Sequence, residues 1–225
     1  MKKILAFILA MTMLFALTAC GGDEPEQGTT PSTGTVDGSY DPNATVDFTM
    51  QTSADNSIVT VGEIDKTLYE TPVLVTSFGQ STDAAMLDTV MKKVGVEYTF
   101  NATADASVIA DYKTVIIAVG ASTKGLGAAG ISEADETARA EAIMQAITDN
   151  DIEVICCHIG GSTRRGTLSD TFADMVMAEA SYIVLKEDAN FDYKFTTYAE
   201  DNSKPITLIY STKDTVSVFT DLFTA

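Results

Sequence analysis

The sequence is poor in the residues from which metal and redox centres are built. Its 225 residues include one histidine, His158, and three cysteines, Cys20, Cys156 and Cys157. None of them falls into a metal-ligand spacing, so no metal site is expected. Cys156 and Cys157 are adjacent in "EVICCHIGG". Neighbours on a strand point to opposite faces, so a disulfide between them would need a distorted backbone, and both read as buried strand thiols. Basic residues are also scarce, 14 Lys and Arg against 32 Asp and Glu. Such a surface argues against nucleic acid and against docking onto anionic lipid. It also makes any cluster of basic side chains informative. The longest apolar run, Ile4–Ala16, has 13 residues, short of the roughly 20 that a membrane span needs.

That run has its own reading. Lys2 and Lys3 precede it and "LTAC" follows it, the layout of a secretory leader. The "LTAC" end resembles the lipobox of bacterial lipoproteins, which implies a signal peptide over 1–19 and a lipidated Cys20. The lipid would hold the protein on the outer face of the cell membrane, with the anchor as its only membrane contact. Residues 20–45 are rich in Gly, Pro, Ser, Thr and acid and read as a flexible tether. A coil of 25 residues spans about 25–30 Å. Without the leader, 12 basic and 32 acidic residues remain, a net charge of about −20.

From Pro72 onward, short apolar runs alternate with helical patterns, the signature of a parallel sheet covered on both faces. The fold class expected over 71–225 is therefore α/β. It is a single doubly wound domain, Rossmann-like or flavodoxin-like, with a mainly parallel sheet of five to six strands. The segment 46–70 alternates like a strand without a crossover helix and reads as a small β extension. "ISEADETARAEAIMQAITDN" is the clearest helix. Ser132 with Asp135 and Glu136 gives a capping signal, and Ala140, Ile143, Met144 and Ile147 form its apolar stripe. "FDYKFTTYAEDNS" is ambiguous.

In open α/β sheets ligands sit at the carboxyl ends of the strands. Three strands end there in polar, glycine-containing loops. "TSFGQSTD" supplies Ser77, Gly79, Gln80 and Ser81. "GASTKGLGAAG" supplies Ser122, Thr123, Lys124, Gly125 and Gly127. "HIGGSTRRGTLSD" supplies His158, Gly160, Gly161, Ser162, Thr163, Arg164 and Arg165. Backbone N–H groups beside Lys124, Arg164 and Arg165 suit a carboxylate or phosphate. Against this, glycine loops also serve only to turn strand into helix, and arginines pair with surface acids such as Asp170. "GLGAAG" matches a dinucleotide fingerprint in letters, but five residues separate it from the strand end at Val119. No G-K-[ST] is present, so no cofactor is expected. His158 beside Ser162 invites a hydrolase reading, yet no G-x-S-x-G elbow exists, and no catalytic residue is assigned.

"TPVLVTSFGQS", "GASTKGLGAAGIS", "RAEAI" and "HIGGSTRRGTLSD" together resemble an uncharacterised family of bacterial exported or lipoprotein domains, known as a domain of unknown function. The resemblance covers about residues 70–225. It implies that these loops form one unit and carries no activity. The expectation is a lipid-anchored extracytoplasmic protein that binds a small anionic solute, with a membrane transporter as the partner such a role implies. The alternatives are a hydrolase using His158 and a loop serine, or a protein-interaction module whose loops are structural.

Overall fold

Runs rich in Val and Ile become strands, and the amphipathic stretches between them become crossovers. A computed structural model describes residues 47–48 and 51–223. They belong to one compact unit, Ala44–Ala225, of mixed α/β type with a seven-stranded sheet. The leader, Cys20 and the tether lie outside the described residues. The strands are β1 (Ile58–Val61), β2 (Val73–Phe78), β3 (Tyr98–Phe100), β4 (Thr114–Val119), β5 (Glu153–His158), β6 (Tyr182–Lys186) and β7 (Ile206–Ile209). The helices are α1 (Asp83–Val94), α2 (Thr123–Ala129), α3 (Glu133–Asn150), α4 (Thr167–Glu179), α5 (Lys194–Asp201) and α6 (Thr215–Phe223).

The strand order is β1-β7-β6-β5-β4-β2-β3. Every pair from β7 to β3 is parallel, and β1 pairs antiparallel with β7 from Ile58↔Ile209 to Val61↔Ile206. The sheet thus has seven strands where five to six were expected. The additional one, β1, comes from the 46–70 segment and pairs along the β7 edge of the sheet. β2, β4 and β5 are adjacent, so Phe78, Val119 and His158 end on one edge.

Two apolar cores lie on the two faces of the sheet. Leu74 and Phe78 of β2 join Ile143 of α3, Phe172 of α4 and Phe195 of α5, while Val73 and Val75 join Leu87 of α1 and Phe219 of α6. Strands buried on both faces carry unbroken apolar runs, which is why β2 and β4 are buried at every position. Cys156 and Cys157 are free and fully buried in opposite cores. No helix among the described residues is long and apolar enough to cross a membrane.

One segment departs from the sequence reading. The glycine-rich stretch 120–130 holds a helix, α2, whose cap Ser122 accepts the Gly125 N–H at 3.0 Å. Its internal glycines lower helix propensity by about 1 kcal/mol each, and packing overrides that cost. The ambiguous "FDYKFTTYAEDNS" contains α5.

Candidate functional site

The loops after β2 and β4 interlock. Ser122 N–H donates to the Gly79 carbonyl at 2.8 Å, and a Cβ on Gly125 would overlap the Gln80 carbonyl oxygen. Glycine at 125 is therefore explained by the approach of another loop. Beneath them lies Glu136, fully buried, which accepts the Gly79 N–H at 2.7 Å and Gln80 Nε2 at 3.1 Å. Arg139 pairs with Glu136 at 2.8 Å and donates to the carbonyls of Ala104 and Ser77. Glu136 therefore sits in a buried network, and the capping acid of α3 is Asp135, whose N–H donates to Ser132 Oγ. At the ends of β2 and β4, Gln80, Glu136 and Arg139 are thus hydrogen-bonded to one another and to the neighbouring backbone.

The loop after β5 is more open. Arg164 Nη2 donates to Thr82 Oγ1 at 3.0 Å, and its Nε lies 3.7 Å from Asp83 Oδ1. The Arg164 side chain is 32% exposed and that of Asp83 fully buried. Asp83 sits against Gly160, where a Cβ would overlap the carboxyl oxygens; neither oxygen makes a well-formed hydrogen bond, while the Ser81 hydroxyl and the Gly160 backbone lie near enough to favour its charged form. Burial pushes the Asp83 carboxyl above its ordinary pKa, and the Arg164 charge opposes that rise. Sequence reasoning passed over Asp83 because an acid in the first turn of a helix is an ordinary dipole partner. No sequence signal told its burial.

Arg165 is used differently. Its side chain is 4% exposed, pairing with Asp170 at 2.7 Å and Asp192 at 2.8 Å. It also donates to the Ala189 carbonyl and lies over the rings of Phe191 and Phe195. Hydrogen bonds from Arg165 hold Asp192 down to about 2. Arg165 thus joins the loop after β5 to the segment after β6, and its donors are committed.

His158 is fully buried, edge-on to Phe195 at 5.4 Å, and neither ring nitrogen has a partner. Burial pushes its pKa down to about 4, and Arg165 adds to the effect. Ser162 and Thr163 are exposed in a short 3₁₀ turn, so His158 and Ser162 are not brought together. Lys124 and Thr123 are exposed in the first turn of α2, where Lys124 has no ion pair among the described residues. Gly127 is exposed on the same helix, and Ser77 Oγ is buried without a partner. Six buried side-chain polar atoms among the described residues lack a hydrogen bond, and five belong to Ser77, Asp83 and His158. No group of three or more His, Cys, Asp or Glu able to hold a metal occurs among the described residues.

Further along the same edge, between the ends of β6 and β7, is a cavity of about 720 Å³. The Lys186–Asp188 pair on its wall also packs against Gly161, so it adjoins the loop that carries Arg164.

Residues 70–223 match a family model described as a domain of unknown function (DUF6305). No curated protein and no solved structure matches the chain.

Proposed function

The chain belongs to that domain family of unknown function, and we propose that it is a lipid-anchored extracytoplasmic protein that binds a small oxyanion, a carboxylate or phosphate, at Arg164. The observation that carries the reading is the state of this guanidinium. It stands a third exposed at the carboxyl edge with one hydrogen bond, to Thr82, while its carboxyl neighbour Asp83 stands off at 3.7 Å and has its pKa raised by burial. Its remaining N–H donors suit the oxygen atoms of a planar or tetrahedral anion. Exposed hydroxyls of Ser162 and Thr163 are on the same turn. Unsatisfied buried polar atoms concentrate where a protein pays in stability for function. Arg165 has its donors engaged, so the cluster of three cations narrows to Arg164, with Lys124 as a second free charge on the edge.

In this reading the sheet is doubly wound and flavodoxin-like. Its parallel strands run β3-β2-β4-β5-β6-β7, with the order reversing at β2. The interlocked loops displace the ligand from the reversal point towards β5. The leader and "LTAC" support export and acylation of Cys20, with a membrane transporter as the recipient of the solute.

The test is thermal unfolding with phosphate, sulfate, citrate and short dicarboxylates. An oxyanion at a hundredfold excess over its Kd stabilises by about 2.7 kcal/mol. Arg164→Ala abolishes that gain. Stabilisation that survives Arg164→Ala rejects the site.

A further inference from the structure

We infer that the cavity between the ends of β6 and β7 is a second, independent binding site, and that it takes an uncharged saccharide. Five large hydrophobic residues are exposed among those described, and three of them, Phe191, Tyr193 and Tyr210, line this one concavity at 64%, 56% and 53% exposure. Exposed apolar surface gathered in a concavity marks a ligand site. The volume of about 720 Å³ lies within the range of small-molecule sites. A protein partner would need a broad face of roughly 800 Å² from each side, whereas these rings are confined to one hollow.

The electrostatics choose the ligand class. The one lining cation, Lys186, is paired with Asp188 at 2.8 Å, and the Glu187 carboxylate is engaged by the backbone N–H of Thr52 at 2.9 Å together with its hydroxyl. No uncompensated cation is left on the wall to select an anion, in contrast to Arg164. What remains is planar aromatic surface beside hydrogen-bonding groups, including Gln51 and Ser211. That is the complement of a pyranose, which presents one apolar C–H face to an aromatic ring and hydroxyls at its rim. Sugars linked through equatorial β bonds keep successive faces flat and exposed, so they fit best. Part of this surface is held in place. Phe191 is fixed under the Arg165 guanidinium at 4.8 Å, and the Tyr210 N–H donates to the Ser57 carbonyl at 2.8 Å, pinning that residue to the chain beside β1.

The experiment is calorimetric titration of the protein with β-linked oligomers of glucose and of N-acetylglucosamine, two to four units long, with inorganic phosphate as a separate arm. At least one series binds. Tyr210→Ala weakens it by about tenfold or more, a factor that corresponds to about 1.4 kcal/mol, while Arg164→Ala leaves it within about twofold. Tyr193→Ala, at a second exposed ring, repeats the loss without relying on one variant. Absence of binding by both series overturns the inference. So does sugar binding that both tyrosine variants retain. Loss of phosphate binding in Arg164→Ala with sugar binding kept supports two separate sites, and sugar binding lost in Arg164→Ala overturns their independence.

Discussion

His158 should make the protein sensitive to mild acid, and the size of the effect follows from where it sits. The ring is fully buried, edge-on to Phe195, with no hydrogen bond to either nitrogen. Its pKa is about 4 in the folded protein, against an ordinary value near 6.5 in the unfolded chain. Between these values the unfolded chain binds a proton that the folded protein does not. Stability therefore falls as pH drops from about 6.5 to about 4, and the loss is complete below that. Between pH 7 and pH 4.5 the contribution is about 2.5 kcal/mol at about 1.36 kcal/mol per unit. Asp83 works in the opposite direction. Its raised pKa means that protonation favours the folded state, and that stability is lost as pH rises through it. A single pH profile would mix the two, so the measurement is a difference. Urea denaturation of the native protein and of His158→Leu at both pH values gives four free energies. The native protein should lose about 2.5 kcal/mol more than the variant on acidification. Equal losses would refute the burial of a neutral histidine.

Arg165→Ala should cost about 2–4 kcal/mol in urea denaturation, because Asp170, Asp192 and the Ala189 carbonyl all lose their donor. Arg165→Lys should recover little of it, since one ammonium cannot reproduce a bidentate fork. Gly125→Ala should destabilise strongly by driving a methyl into the Gln80 carbonyl, whereas Gly127→Ala, with nothing within 4 Å, should raise stability by up to about 1 kcal/mol. Comparable effects of the two substitutions would contradict the interlocked loops. Sulfate, whose charge is constant over the range, should bind Arg164 more tightly as pH falls through the raised pKa of Asp83. In Asp83→Asn the tight binding should persist to high pH, as read by calorimetry.

The sheet was legible because its strands are buried on both faces. Val73–Phe78, Thr114–Val119 and Glu153–His158 appear as apolar runs ended by glycine-containing loops. Their adjacency follows from the rule that such runs, joined by helices, pair in parallel. α3 was equally plain, with Ala140, Ile143, Met144 and Ile147 buried as its period requires. α2 was hidden by its own glycines, since helix propensity at 123–129 is poor and the Ser122 cap, the buried Leu126 and the neighbouring loop hold it. The edge that carries the candidate site was readable from strand direction, but the division of labour on it was not. Arg164 and Arg165 are neighbours in sequence, yet Arg165 turns into a cage of two acids and two rings while Arg164 faces the edge. That outcome depends on Asp192, Phe191 and Phe195, which come from a segment after β6 that sequence periodicity left ambiguous. Glu136 was read only as part of the capping signal of α3, because its partners Gly79 and, through Arg139, Ser77 lie about sixty residues away. The cavity was not legible at all, because its walls combine residues near 51, 188 and 210 that carry no shared motif.

The central claim is that Arg164 holds an oxyanion at the carboxyl edge of β5. Crystals grown free of other oxyanions and soaked in selenate test it directly, because selenium scatters anomalously and marks its own position. The account predicts one dominant selenium peak within hydrogen-bonding reach of the Arg164 guanidinium, beside Thr82, that vanishes in crystals of Arg164→Ala. A selenium peak elsewhere, or none at Arg164 at saturating selenate, would contradict it.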